Sequence, residues 1–157
     1  DKWSKIKIEK LNLKLHLIGK LQTNKVKHAL KIFDYIHSLD SEKLAKKIFD
    51  EEIKQKKKIK LFIQVNIGEE EQKSGVNINH LDKFISYCNK LNLNIIGHMC
   101  IPPIHEDPVK YFEQMKLLKL KLNLKDLSMG MSSDYLKALE NGATFVRIGS
   151  SIFGPRV

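Results

Sequence analysis

A chain of 157 residues, 42% of them hydrophobic, is long enough for one domain with a buried core. Its apolar runs fall short of the roughly 20 residues that a membrane helix needs, and Asp1-Lys-Trp-Ser-Lys5 lacks the apolar stretch of a secretory leader. A formal net charge of +10 raises a nucleic-acid reading, but lysine supplies nearly all of it, spread over helix faces instead of gathered with arginines and aromatics.

Cys88 and Cys100 have no metal-like spacing and fit free thiols in a reducing cytoplasm. The chain opens on Asp1 instead of Met, so an upstream portion is expected to be missing. Residues 2–10 read as the end of a helix, with Trp3 and Ile6 as core contacts. Leu13 to Ile18 reads as a short strand closed by Gly19. A short helix follows from Leu21 to Lys31, capped at Thr23 or Asn24.

Phe33 to Leu39 is the next strand. Asp40-Ser41 caps a long helix to about Lys57, whose apolar Leu44, Ile48, Phe49 and Ile53 recur at helical spacing. Lys60 to Ile67 is nearly continuous in apolar residues, as a buried parallel strand requires. A polar loop (68–75), a helix (77–91), a strand from Asn94 to Met99 and a helix from Asp107 or Pro108 to Lys121 follow. The chain closes with strand Asp126–Met129, helix Asp134–Asn141 and strand Ala143–Ile148.

Six strands alternating with helices mean a parallel sheet. Their roughly even spacing, with Gly-rich loops at the strand ends, favours a (β/α) barrel over an open sheet. Six strands cannot close an eight-stranded barrel, so the expectation is an incomplete TIM-type barrel without its first two βα units. The whole of 1–157 reads as one partial domain.

The chemistry gathers in the closing strand–helix–strand, where both strands end in Gly and Ser. Backbone N–H groups exposed at such turns suit an anion such as phosphate. Gly149 and Ser150 either cradle one or form a tight turn in which Gly serves geometry alone. Ser132 and Ser133 precede a helix and cap it, a role compatible with phosphate binding. Arg147 and Arg156 are the two arginines of the chain. Burying Arg147 unpaired is costly, so it forms an ion pair or meets a ligand. His16 reads as a hydrogen-bonded core histidine or a catalytic base, and His98, Cys100 and His105 match no metal-site spacing.

Five collinear blocks then resemble one family. His16-Leu-Ile-Gly-Lys-Leu-Gln-Thr-Asn-Lys25, Val65-Asn-Ile-Gly68 with Lys73-Ser-Gly-Val76, and Gly97-His-Met-Cys-Ile-Pro102 are similar to successive blocks of the pyridoxal phosphate homeostasis proteins. Leu127-Ser-Met-Gly-Met-Ser132 and Val146-Arg-Ile-Gly-Ser-Ser-Ile-Phe-Gly-Pro-Arg156 resemble their closing signature. The resemblance implies a barrel of the alanine racemase N-terminal kind with a pyridoxal 5'-phosphate (PLP) site at its C-terminal mouth. It places Gly149, Ser150 and Ser132, with the backbone around Met131, at the cofactor phosphate. It sets Arg147 against the pyridine nitrogen, where a cation disfavours ring protonation. Met99 and His16 would line the ring pocket.

The family holds PLP on a lysine of its first barrel strand, followed by a strand with Gly-Glu-Asn. Neither is found here, and no lysine of this chain matches that motif. The implied role is a cytoplasmic PLP carrier or reservoir, not a catalyst, with PLP-dependent apo-enzymes as recipients. Family members are expected to be monomers, whereas an open barrel edge favours self-association. A PLP-dependent racemase or lyase and a basic nucleic-acid-binding domain are the alternatives.

Overall fold

The computed structural model describes residues 13–70 and 72–154. The expected helix over 2–10, with Trp3 and Ile6, lies outside the described residues, as do Glu71, Pro155 and Arg156. Among the described residues six strands are formed: β1 (His16–Leu17), β2 (Tyr35–Leu39), β3 (Lys60–Gln64), β4 (Ile95–Met99), β5 (Asp126–Met131) and β6 (Phe145–Arg147). Between them lie α1 (Val26–Ile32), α2 (Glu42–Gln55), α3 (Leu81–Lys90), α4 (Pro108–Lys121) and α5 (Tyr135–Glu140), and α6 (Ser150–Phe153) follows β6. Every strand pairs in parallel with the next in sequence, giving the order β1-β2-β3-β4-β5-β6. A parallel neighbour demands a crossover, which each helix supplies.

The sheet is curled into half a barrel. Five spacings of ~4.8 Å would hold β1 and β6 about 24 Å apart in a flat sheet. Instead the His16 and Phe145 rings lie 5.7 Å apart across the interior, and Tyr35 and Phe145 5.9 Å.

Strand alternation sorts side chains onto two faces. Leu61, Ile63, Leu127 and Met129 pack outward with helix residues such as Leu44, Ile48, Phe84, Phe112 and Met115. Each fully buried side chain of that size contributes about 1.5–3 kcal/mol. Phe62, Met99 and Ser128 point the other way, into the hollow of the curl. Cys88 and Cys100 are buried with the outward set, and burial pushes both thiols up to about 12.

Three local expectations are corrected. The third strand ends at Gln64 because the chain bends there to clasp Val76: Val76 N–H donates to Gln64 O and Asn66 N–H to Val76 O. Neither Thr23 nor Asn24 caps α1; both sit inside a 3-10 turn whose leading residue, Gln22, makes no side-chain cap. Ser41 does cap α2, accepting from Leu44 N–H. Within α2, Ile53 is 61% exposed, while Glu51 and Glu52 are buried. Glu52 turns inward to accept from Ile59 N–H at 2.8 Å and Lys58 Nζ at 2.9 Å, closing the helix onto β3.

Two glycines let backbones meet. A Cβ at Gly97 would lie 2.1 Å from Asp126 O, and one at Gly130 (φ +88°) would lie 2.5 Å from the Ala138 side chain. Among the described residues no helix is long and apolar enough to cross a membrane.

Candidate functional site

In a parallel barrel, side chains at the C-terminal strand ends converge on one mouth. β6 delivers Arg147 there, and the guanidinium reaches back across the neighbouring strands. Its NH1 donates to Ser128 O at 2.8 Å and Ser128 Oγ at 2.9 Å, and its NH2 to Cys100 O at 2.8 Å. Among the described residues Arg147 forms no ion pair, so of the two expected partners the carboxylate is not used. Its Nε is buried without a hydrogen-bond partner. Burial lowers the Arg147 pKa from the ordinary arginine value. A fixed cation is thus held on two backbone carbonyls and the Ser128 hydroxyl, with the buried Nε–H unclaimed.

Beyond Arg147 the chain turns at Gly149 into α6. Gly149 and Ser151 both donate N–H bonds to one atom, Ser132 Oγ, at 3.2 and 3.4 Å. Ser132 therefore caps the turn after β6 and not the helix that follows it in sequence, where Asp134 takes the N-cap position without a side-chain cap. Ser151, which sequence reasoning missed, joins Gly149 on Ser132 Oγ, and Ser150 lies between them as the first residue of α6. Gly149 has φ −124°, and a Cβ on it would meet nothing within 4 Å. Neither left-handed backbone nor protein packing calls for glycine at this position, which leaves open space beside the gathered N–H groups.

Met131 ends β5, but its backbone is engaged in its own turn. Its N–H donates to Asp134 Oδ1 at 2.6 Å and its carbonyl accepts from Asp134 N–H at 3.1 Å. Met99 is fully buried in the interior wall, in register with Gln64 and Ser128.

His16 comes from the opposite edge. Its ring stacks on Tyr35 at 4.0 Å and 7°, and its Nδ1 lies 2.9 Å from His37 Nε2. His37 Nδ1 lies 2.9 Å from Ser128 Oγ, the hydroxyl that Arg147 also holds. His37 stacks on Phe62 at 4.2 Å, with the Phe145 edge against both. Burial, then the neighbouring His16 and Arg147, drive His37 down to about 3, and burial lowers His16 as well. Both rings are neutral near pH 7. His37 and Ser128 were not singled out from sequence; their only signal was a polar residue inside an otherwise apolar strand.

A cavity of about 330 Å³ opens at the same mouth, lined by Gly19, Lys20, Gln64, Asn66, Lys73 and Ser74 among others. The Cys100–Pro102 segment joins it to the arginine. Cys100 O accepts from Arg147, Ile101 lines the cavity, and Pro102 O accepts from Lys73 at 3.4 Å. A second cavity, about 410 Å³, lies at the N-terminal strand ends between Tyr35, Lys60, Asn94, Lys125 and Phe145. The Gly149 turn lines neither and stands as an open shelf. His98 faces the helices, in register with Ile63 and Leu127. Among the described residues no three His, Cys, Asp or Glu are placed to hold a metal.

The family model described as the alanine racemase N-terminal domain matches residues 6–157. The pyridoxal phosphate homeostasis protein of Aquifex aeolicus (strain VF5) is 41% identical over 95% of this chain and 70% of its own length. That of Pasteurella multocida (strain Pm70) is 36% identical over 92% of this chain and 66% of its own. The chain thus spans about two thirds of the relatives it matches. PipY of Synechococcus elongatus PCC7942, solved without PLP and with PLP bound, superposes with TM-scores of 0.89 and 0.88. It is 32% identical, and the match covers 98% of this chain and 76% of PipY. Alanine racemase of Clostridium difficile 630 is 14% identical with a TM-score of 0.75, over 99% of this chain and 43% of that one, a likeness of fold alone.

Proposed function

The chain belongs to the alanine racemase N-terminal domain family and, within it, to the pyridoxal phosphate homeostasis proteins, and we propose that it holds PLP by its phosphate and pyridine nitrogen as a carrier or reservoir. One observation carries this reading. Arg147 is fixed by three hydrogen bonds yet keeps a buried, unclaimed Nε–H, two residues before a turn that gathers two N–H groups beside open space.

The residues fit the group. Ser132 Oγ accepts both N–H bonds and keeps its own proton to donate to a phosphate oxygen. A phosphate oxygen also suits Gly149 and Ser151 N–H directly, because backbone donors at a turn favour anions. Arg147 Nε–H donates to an unprotonated ring nitrogen, and the permanent guanidinium charge opposes protonation there. When bound, PLP supplies a reactive aldehyde on an electron-accepting ring. An unprotonated ring accepts electrons poorly, which suits storage and delivery to PLP-dependent apo-enzymes better than catalysis. No lysine of this chain is assigned a covalent role, so the hold is weak and reversible.

The test is a PLP titration followed by borohydride reduction and peptide mass mapping. Saturable binding that dialyses away, weakened about 10- to 100-fold in Arg147→Gln for one lost charged hydrogen bond, is expected. Absence of saturable binding, or one lysine trapped in stoichiometric yield, defeats the reading.

A further inference from the structure

We infer that the cavity at the N-terminal strand ends is a second binding site, built for a free amino acid with an apolar side chain. Its walls answer an ammonium and a carboxylate carried on one small molecule. The inference does not rest on the cofactor reading, whose residues gather at the other end of the strands.

The two cavities differ in how much polar capacity they leave unspent. At the C-terminal mouth the side chains are already committed. Gln64 Nε2 donates to Ser74 O, Asn66 holds the Glu70 backbone by both ends of its amide, and Lys73 pairs with Glu70 and donates to Pro102 O. The other cavity, about 410 Å³, falls within the roughly 300–1,000 Å³ of small-molecule sites. Among the described residues its Lys60, Lys125 and Asp126 form no ion pair, and its Asn94 and Asn123 amides make no hydrogen bond.

Register decides where the charges point. Lys60 is paired with Tyr35 and turns into the curl with it, donating to the Tyr35 hydroxyl at 3.1 Å with Nζ 5.0 Å from the ring centroid. Asp126 is level with Gly97 and, through it, with Phe62, which faces the same hollow. Cation and anion thus stand on one inner face, on β3 and β5. Two spacings of ~4.8 Å set those strands about 10 Å apart. Between them, at the level of Asp126, β4 has only Gly97, so no side chain of that strand fills the gap.

Lys60 keeps two of its three N–H donors, which suit a carboxylate, whereas the Asp126 carboxylate only accepts and suits an ammonium. A simple anion would face Asp126, and a simple cation would face Lys60 and Lys125, at the cost of like charges set together. A molecule with both groups meets neither penalty. The Tyr35 and Phe145 rings form the apolar wall that takes its side chain.

L-leucine and L-phenylalanine, titrated into the whole chain by calorimetry and by backbone amide NMR, test this. Saturable binding of at least one is expected, with shifts at Lys60, Asn94, Asp126 and Phe145 and none at Gly149. Isocaproate, which is leucine without its amine, and isoamylamine, which lacks the carboxylate, should each bind at least about 10-fold more weakly than leucine, since each forfeits a charge-assisted hydrogen bond. Asp126→Asn should no longer distinguish leucine from isocaproate, and Lys60→Met should no longer distinguish it from isoamylamine. On the unsubstituted chain, with no variant having to fold, three results overturn the inference. They are no saturable binding of either amino acid up to about 10 mM, an analogue that binds as tightly as leucine, and shifts centred on Gly149.

Discussion

The two faces of this one sheet treat buried histidine in opposite ways. His37, 2% exposed, looks into the curl with both ring nitrogens bonded and its plane stacked on Phe62. His98, 0% exposed and two strands away, looks outward into the helix layer, where neither nitrogen has a partner. Burial depresses both, His37 to about 3 and His98 to about 4. The difference lies in what surrounds them. The interior supplies Ser128, His16 and aromatic planes, whereas the helix layer supplies aliphatic and aromatic carbon. A polar group on the first face orders other groups, and on the second it is a cost the fold carries.

The comparison is broken most severely where both faces meet. Gly97→Ala would drive a methyl to 2.1 Å from Asp126 O and part β4 from β5. The expected loss is on the order of 3 kcal/mol or more, read as a lowered urea midpoint with disturbed signals from His37 and His98 together. An unchanged midpoint would mean that the two strands do not approach as described.

Acid titration sharpens the contrast next. Below pH 6.5 the unfolded chain binds a proton at His98 that the folded chain refuses until about pH 4. Stability therefore falls as pH drops through that window, by about 3 kcal/mol for this residue alone. His37 acts in the same direction and continues to about pH 3. His98→Leu should remove its share of the slope and add about 1 kcal/mol at neutral pH, because an orphaned ring gives way to carbon. A variant as acid-sensitive as the parent in urea melts at pH 7 and 4.5 would place the slope elsewhere.

The smallest effects come from two buried serines. Ser128→Ala strips a partner from both Arg147 and His37 and should cost about 1–3 kcal/mol. Ser38 Oγ is buried without a partner, and Ser38→Ala should change stability by no more than about 0.5 kcal/mol. Equal shifts in the two thermal melts would erase the distinction.

Much of the fold was legible because apolar period and chain punctuation act locally. The run from Lys60 announces a buried strand, and Ser41 announces the helix it caps. Arg147 stood out as one of two arginines in a chain that otherwise uses lysine. What stayed hidden depends on partners remote in sequence. Ser132 looked like the cap of the next helix, yet the left-handed turn at Gly130 and the Asp134 carboxylate on Met131 N–H settle that corner without it. Its hydroxyl is then free to reach Gly149, 17 residues on. Nor does a histidine at 37 betray a serine 91 residues away, since only the curl brings them together.

That curl bears on how the molecule assembles in time. The strands pair in sequence order, so paired residues lie no more than 35 apart in the chain. Two bonds around Arg147 reach further: His37 to Ser128 spans 91 residues and Arg147 to Cys100 spans 47, whereas Gly149 to Ser132 spans 17. The seat of Arg147 therefore needs β4, β5 and β6 side by side before it can form, whereas the Ser132 corner needs only the last two strands.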